Sequence, residues 1–282
     1  MHITINQQNN TDYELLLDDL IQEVFGFSFM PWFEQKLWDS NYESYSIIQN
    51  GKMLSNVCIY KTDMLISGKI VRAHQFGAVA TRNAERKNGL SRLLMEHVLA
   101  LYPDTPSYLY ANPSVIDFYP RFGFRQVQTY QPTIAAAINN PTDTSAKYDP
   151  DDDFVREMLH GKRIHSAIVD CTNTQSVQIF NLLMEYDDGI HHLPGCDALI
   201  IAEQNDSHLF LADVIASKPL SFDALKQELP FTGIESIAFG FCPDWLGISP
   251  HWEPVDMDDE LFFLRGDWEL PQKFCFPTTS RT

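Results

Sequence analysis

Val79-Ala80-Thr81-Arg82-Asn83-Ala84-Glu85-Arg86-Lys87-Asn88-Gly89-Leu90-Ser91-Arg92-Leu93-Leu94 joins an extended run to a basic loop and then to the start of a helix. The helix follows from Leu90, Leu93, Leu94, His97, Val98 and Leu101, whose spacing lines one helical face. A helix start exposes N–H groups without intrahelical partners, and its dipole favours an anion there. Gly89 and Ser91 are small enough for an anion to reach those amides. Arg82, Arg86, Lys87 and Arg92 place four cations in 11 residues, where 20 Lys+Arg spread over 282 residues would place about 0.8. A solvated loop and amphipathic helix would also account for them. On a chain of net charge −18, however, a basic island at a helix start reads as a phosphate site.

Upstream, residues 12–25 and 29–39 carry helical apolar spacing, and β-rich runs begin near Tyr42. Residues 45–49, Asn50-Gly51 and residues 53–60 form a predicted hairpin, because Asn-Gly accepts the positive φ of a type I′ turn. Ser67-Gly68 marks a second turn before an extended run over 70–81. Downstream come a strand over 107–111, a helix opened by Asn112 as N-cap and Pro113 at its first position, and a break at Gly123. The prolines of residues 131–153, ending in Asp149-Pro150-Asp151-Asp152-Asp153, predict a surface linker, with a domain boundary at residue 145. Beyond it the pattern predicts helices over 154–160, 174–186 and 221–229. Strands are predicted over 164–170, 197–204, 208–215 and 234–241, with short ones at 261–264 and 273–276. The chain therefore divides into 1–145 and 146–282, both α/β.

The segment Arg86-x-x-Gly89-x-Ser91 resembles the [Q/R]-x-x-G-x-[G/A] signature of the GNAT superfamily of acetyl-CoA-dependent N-acetyltransferases. The longer form V-x-T-x-P-x-x-R-x-x-G aligns at Val79, Thr81, Arg86 and Gly89, with Asn83 in place of Pro and Ser91 in place of the last Gly/Ala. Asn112-Pro113-Ser114-Val115-Ile116-Asp117-Phe118-Tyr119-Pro120-Arg121-Phe122-Gly123-Phe124 resembles the superfamily's N-x-x-x-x-x-F-Y-x-x-x-G-F helix at the expected distance. Together these motifs cover residues 15–130. The resemblance implies a mixed, mostly antiparallel twisted sheet flanked by helices (an α/β, more strictly α+β, fold), with a second, smaller α/β domain that is compatible with a degenerate GNAT-like repeat. It implies acetyl-CoA as co-substrate along Val79, Ala80, Thr81, Arg86, Lys87, Asn88, Gly89, Leu90 and Ser91, with Asn112 beside the pantetheine and a backbone N–H near Val79 facing the oxyanion.

Tyr119 is the catalytic candidate. Amine attack on a thioester expels a thiolate that a phenol within reach can protonate, although a core aromatic is the competing reading. Three bases stay open: His74, a water, or the C-terminal carboxylate, which serves in the enhanced-intracellular-survival branch that the Val-Ala-Thr form also resembles. This chain is shorter and shows no third domain, so that resemblance stops short of assigning the role to Thr282. Trp32, Phe33 and Trp38 fall where the family's first helices border the acceptor, with core packing as their default.

Charge and cysteine usage bound the rest. A net charge of −18 repels a phosphate backbone and argues against nucleic acid. No uninterrupted apolar run exceeds five residues, against about 20 for a membrane span. The start, Met1 to Gln8, lacks the basic and apolar parts of a secretory signal, so a cytoplasmic location is expected. Cys58, Cys171, Cys196, Cys242 and Cys275 form no C-x-x-C pair and read as reduced structural thiols. His191-His192 and Asp256, Asp258, Asp259 and Glu260 show no closed metal spacing, so no metal is expected. In the second half, residues 214–225 hold no Arg and no Gly-x-Gly/Ala, only one Lys, a Pro that removes an N–H, and Asp223 placed to cap the helix there. One acetyl-CoA per chain follows, with the C-terminal half walling the acceptor side or supplying a homodimer contact. The expected function is acetyl transfer to a primary amine of a small molecule or peptide; the alternative is a non-catalytic acyl-CoA-binding regulatory module.

Overall fold

The computed structural model describes residues 2–5, 7–141, 146–258 and 260–282, so the expected boundary at residue 145 lies outside the described residues. In the first part the elements are β1 (Ile3–Ile5), α1 (Thr11–Phe25), α2 (Met30–Glu34), β2 (Tyr42–Gln49), β3 (Lys52–Ile66), β4 (Lys69–Thr81), α3 (Leu90–Leu101), β5 (Ser107–Tyr110) and β6 (Arg125–Gln126). There follow β7 (Tyr130–Asn139), β8 (Ala146–Lys147), α4 (Asp153–His160), β9 (Val169–Thr172), α5 (Gln175–Glu185), β10 (Ile190–Leu193), β11 (Ala198–Asn205), β12 (His208–Ala216), α6 (Phe222–Glu228), β13 (Thr232–Phe239), β14 (His251–Pro254) and β15 (Phe262–Arg265).

These strands form two mixed, mostly antiparallel sheets flanked by helices. The first runs β1-β2-β3-β4-β5-β15-β6 with β9 on the far end of β3, and the second β14-β7-β13-β12-β11-β10-β8. Both predicted turns are present: Asn50 and Gly51 have φ of 52° and 70°, and Ser67 and Gly68 have 49° and 80°, which gives β2-β3-β4 the twist of type I′ hairpins. The buried face of α3, Leu90, Leu94, Met95 and Val98, packs on Val57, Ile59 and Phe76 of the sheet, as its spacing requires.

Two irregularities of β4 shape the molecule. Cys58 pairs with Gly77 and Asn56 with Ala80, so Ala78 and Val79 together face the single residue Val57 in a β-bulge, with Ala78 at φ 46°. The Asn56 side-chain amide donates to the displaced Ala78 carbonyl at 3.1 Å. Further on, β4 and β5 pair in parallel only at His74–Ser107 and Gln75–Tyr108, after which they separate and leave a notch.

The sequence reading needs correcting at several points. The stretch expected as a linker contains β7, which lies inside the second sheet; its buried Pro132, Ala136 and Ile138 alternate with exposed Ala135 and Ala137, a period of two that the flanking prolines and asparagines mask. The helix expected over 29–39 is only Met30–Glu34 and is followed by Lys36 at φ 54°. After Asn112 the chain makes two 3-10 turns, Pro113–Val115 and Tyr119–Phe122, because Pro120 has no N–H for a continuous helix. Residues 273–276 are not a strand, and the strand expected over 164–170 is Val169–Thr172. The helix start of α6 is capped by Ser221, whose hydroxyl accepts from Ala224 N at 3.2 Å, rather than by Asp223. All five cysteines are free thiols, and four of them are buried.

Strands from the second half are stitched into the first sheet. β9 pairs with residues 63–66 of β3, and β15 inserts between β5 and β6. The chain then returns as an irregular tail, residues 274–282, buried at Phe274, Cys275, Phe276, Thr279 and Ser280. Thr279 donates its hydroxyl to Asp213 at 2.6 Å, and Lys162 neutralises the same carboxylate at 2.8 Å. The Asn181 amide donates to the carbonyls of Thr279 and Arg281 at 2.8 and 2.9 Å. Arg281 pairs with Glu260 at 2.8 Å and lies 4.5 Å over the Tyr110 ring.

His74 is 4% exposed and stands edge-on to Tyr102, and its Nδ1 has no partner among the described residues. Burial, reinforced by Lys61 and Arg72 and opposed by Glu43, lowers its pKa to about 4. The unfolded chain binds this proton near 6.5, so the stability that neutral His74 contributes is complete above that pH and is lost as pH falls toward 4. His74→Gln should therefore flatten the decline of the urea midpoint between pH 6.5 and 4; a slope equal to the parent's would show that His74 takes up its proton in the folded state.

Candidate active site

Three hydroxyls hold the start of α3 against β4. Thr81 Oγ1 bonds the Ser91 hydroxyl, and Ser55 Oγ stands 2.8 Å from Thr81 and donates to the Ala80 carbonyl at 2.7 Å. The hydroxyl of Ser91 is thus spent on the strand, leaving the helix-start amides to face outward. Gly89, in the N-cap position, has φ 77°, a left-handed conformation that resists a side chain, and a Cβ there would meet open space. The basic island divides. Arg82 is bound to Asp19 and, at 2.6 Å, to Glu23 of α1, so it fastens α1 to the end of β4. Arg92 pairs with Glu96 at 2.7 Å. Arg86 and Lys87 make no ion pair among the described residues and stay available at the mouth of the notch.

A cavity of about 910 Å³ begins at this helix start and follows the notch. Val79, Thr81, Arg86, Lys87, Gly89, Leu90, Ser91, Asn112 and Tyr119 lie on its wall, so the structure brings these sequence candidates together. Ala80 lies instead in the core beneath the bulge, and Asn88 is not on the wall; its side-chain amide donates at 3.1 Å to Glu85, which is. The Asn112 side-chain oxygen Oδ1 accepts from Ser114 N at 3.0 Å and so caps its own turn. Tyr119 is 6% exposed among Phe118, Phe124 and Phe263, and its hydroxyl makes no hydrogen bond among the described residues. Burial pushes its pKa up to about 12, so the phenol keeps its proton at neutral pH.

The cavity continues past Gly77 into a second arm that the sequence motifs do not mark. Phe27, Phe29, Trp32, Tyr42 and Tyr60 line it from the first part, and Val177 and Phe180 of α5 from the second. Trp32 is on this wall, whereas Phe33 and Trp38 pack in the core behind it.

Thr282 stands where the two arms meet. With the Gln75 amide oriented to suit its neighbours, it donates to Tyr108 Oη at 3.0 Å and to the Ser280 carbonyl at 3.1 Å. Its oxygen accepts from the Thr282 N–H and, at 2.8 Å, from the Thr282 hydroxyl. Gly77 makes the seat: a Cβ there would lie 2.7 Å from Thr282 Oγ1 and 3.0 Å from its Cβ. Among the other base candidates, His74 is absent from the cavity wall. Neither Gly77 nor Gln75 carries a sequence signal, because their partner is at the other end of the chain. His191, His192, Asp256, Asp258 and Glu260 form no metal site: no group of three metal-ligating side chains is found among the described residues, and Asp259 lies outside them. Gly77→Ala should push Thr282 from its seat, a strain on the order of 1–3 kcal/mol. The urea midpoint of the variant should fall by the equivalent of that strain; an unchanged midpoint would mean that the seat has room to spare.

The sequence profile of the acetyltransferase (GNAT) domain matches residues 5–127. No curated protein matches the sequence. Among solved structures, the chain is similar to Eis1 from Mycobacterium abscessus at 12% identity, over 94% of this chain and 73% of that one, with a TM-score of 0.57. It is similar to a GCN5-related N-acetyltransferase from Kribbella flavida at 14% identity, 93% and 70% coverage and a TM-score of 0.53. A third similarity, to a GCN5-related N-acetyltransferase from Anabaena variabilis, has 11% identity, 94% and 72% coverage and a TM-score of 0.54. At these identities the structural matches speak for the fold, which spans both sheets.

Proposed function

We propose that the chain is an acyltransferase that transfers acetyl from acetyl-CoA to a primary amine by direct attack on the thioester, a reading supported by the match of residues 5–127 to the acetyltransferase (GNAT) domain. The observation that carries this reading is the cavity itself. It runs from an anion-accepting helix start, through the notch between β4 and β5, to an aromatic arm, with the Tyr119 phenol on its wall.

Each residue then has a task. Arg86, Lys87 and the amides from Gly89 to Ser91 receive the pyrophosphate. The pantetheine takes the place of a strand beside Val79 and Asn112, where β4 lacks a partner. The bulge takes Ala78 and Val79 out of regular register, and the Val79 N–H serves the oxyanion that forms on the thioester carbon. The amine loses a proton as it attacks. A water at the junction beside Thr282 receives that proton, since His74 is off the wall. The C–S bond breaks and leaves a thiolate, to which Tyr119 donates. With the phenol near 12 and an ordinary thiol near 8.5, complete proton transfer is uphill, so a hydrogen bond to the departing sulfur is the main contribution.

The division of labour is part of the proposal. Residues 1–145 hold acetyl-CoA, and residues 146–282 supply Val177, Phe180 and Thr282 to the acceptor side without a second cofactor site. Free thiols at all five cysteines fit a cytoplasmic setting. Tyr119→Phe should lower kcat by roughly 10²–10⁴, with little change in acetyl-CoA affinity, in an assay of free CoA release. Gly89→Glu should abolish acetyl-CoA binding in calorimetry while the protein stays folded. Full turnover in the first variant would make Tyr119 a packing residue, and undiminished binding in the second would move the cofactor elsewhere.

A further inference from the structure

We infer that the acceptor is an apolar monoamine, an aromatic ring on a short alkylamine, rather than a polyamine or an aminosugar. This rests on the transferase reading above and identifies what fills the aromatic arm. The polar tips of the arm's rings already have hydrogen-bond partners within the protein. Tyr60 donates to Asp39 at 2.8 Å, Trp32 Nε1 to the Ser176 carbonyl at 3.1 Å, and Tyr42 to the Cys58 sulfur at 2.6 Å. The arm therefore presents ring faces and edges, with no spare donors or acceptors among these rings for a polyhydroxylated substrate, whose hydroxyls would be buried without partners.

Charge excludes a polycation by the same accounting. Among the described residues no Asp or Glu side chain lines the aromatic arm; the cavity's two, Glu85 and Glu96, belong to the cofactor side. The nearby acids of α1 are engaged off the wall: Asp19 and Glu23 share Arg82, and Asp18 accepts from Gln22, Ser28 and the Phe29 N–H. A protonated nitrogen deep in the arm would lose its water and find no counter-charge, and ring faces recover only part of that loss. The single amine that reacts lies instead at the junction with Thr282, where it can be neutral.

The packing of the arm favours a ring. Phe29 meets Phe180 edge-on at 5.3 Å and Trp32 meets Tyr42 edge-on at 4.9 Å, so an inserted ring continues an edge-to-face array. The arm also has its own apolar entrance. Phe25, on the cavity wall and 41% exposed, stacks on Phe27 at 5.9 Å. A longer acyl chain would arrive with CoA from the other side and would need no such entrance, whereas an acceptor does.

The test uses the full chain with 2-phenylethylamine, spermidine and kanamycin as acceptors, read by CoA release from acetyl-CoA. Calorimetry of 2-phenylethylamine and hexanoyl-CoA runs in parallel. The expected result is a kcat/KM for 2-phenylethylamine at least roughly 10²-fold above the other two, the scale of discrimination an apolar pocket provides. Phe180→Ala should raise its KM about tenfold at unchanged acetyl-CoA affinity. Preference for spermidine or kanamycin overturns the inference and leaves the transferase reading intact. Binding of 2-phenylethylamine to the CoA complex without turnover supports the occupant of the arm and defeats the transferase reading. No binding of 2-phenylethylamine overturns the inference, and tighter binding of hexanoyl-CoA than of acetyl-CoA would then give the arm to the acyl chain.

Discussion

The seating of Thr282 on Gly77, held by the Gln75 amide oxygen, is the contact on which the rest of the structure depends. It joins the last residue of the sequence to the middle of the strand that carries the cofactor motif. Beyond Gln75 and the Tyr110 ring, the groups that hold the tail there belong to the second half. Asp213 of β12, neutralised by Lys162, holds Thr279, and Asn181 of α5 holds the tail backbone through the carbonyls of Thr279 and Arg281. Arg281 and Glu260 form a partly buried pair that ties the tail to the segment before β15. A tail fixed this firmly acts as a wall, so the two arms of the cavity meet at a defined point.

The two arms follow opposite physical rules. On the side proposed for the cofactor, free helix-start amides, Gly89 and the cations Arg86 and Lys87 make a polar entrance suited to an anion, on an otherwise acidic chain. On the other side, polar groups are consumed internally until only ring surface remains. Between them the β4 bulge and the β4–β5 notch remove backbone from regular pairing. Strand irregularity of this kind costs ladder hydrogen bonds, and the Asn56 amide recovers one of them at the Ala78 carbonyl.

Features that arise from neighbours along the chain are legible in the sequence alone. The Asn50-Gly51 turn, the apolar face of α3, the cap at Asn112 and the cluster from Arg86 to Ser91 each rest on residues within a few turns of each other. The features that failed or escaped notice depend on distant partners. β7 reads as a linker because Pro132, Asn139 and Asn140 outweigh its alternation, and only pairing with β13 and β14 fixes it as a strand. The insertion of β15 between β5 and β6 has no local cue. Of four cations that look alike in sequence, only the fold shows that Arg82 is committed to α1. Phe27, Phe29 and Phe180 are ordinary apolar residues until α5 packs beside the loop after α1, and Gly77 is an ordinary strand glycine until Thr282 arrives.

The central claim is that the tail completes the catalytic junction without contributing to cofactor capture. It is tested most directly by removing residues 278–282 and measuring acetyl-CoA affinity by calorimetry beside turnover of the same preparation. The account predicts acetyl-CoA affinity within about threefold of the parent, since the amides and cations of residues 86–91 are untouched, together with loss of turnover of roughly 10²-fold or more. Undiminished turnover in the truncated chain would contradict it.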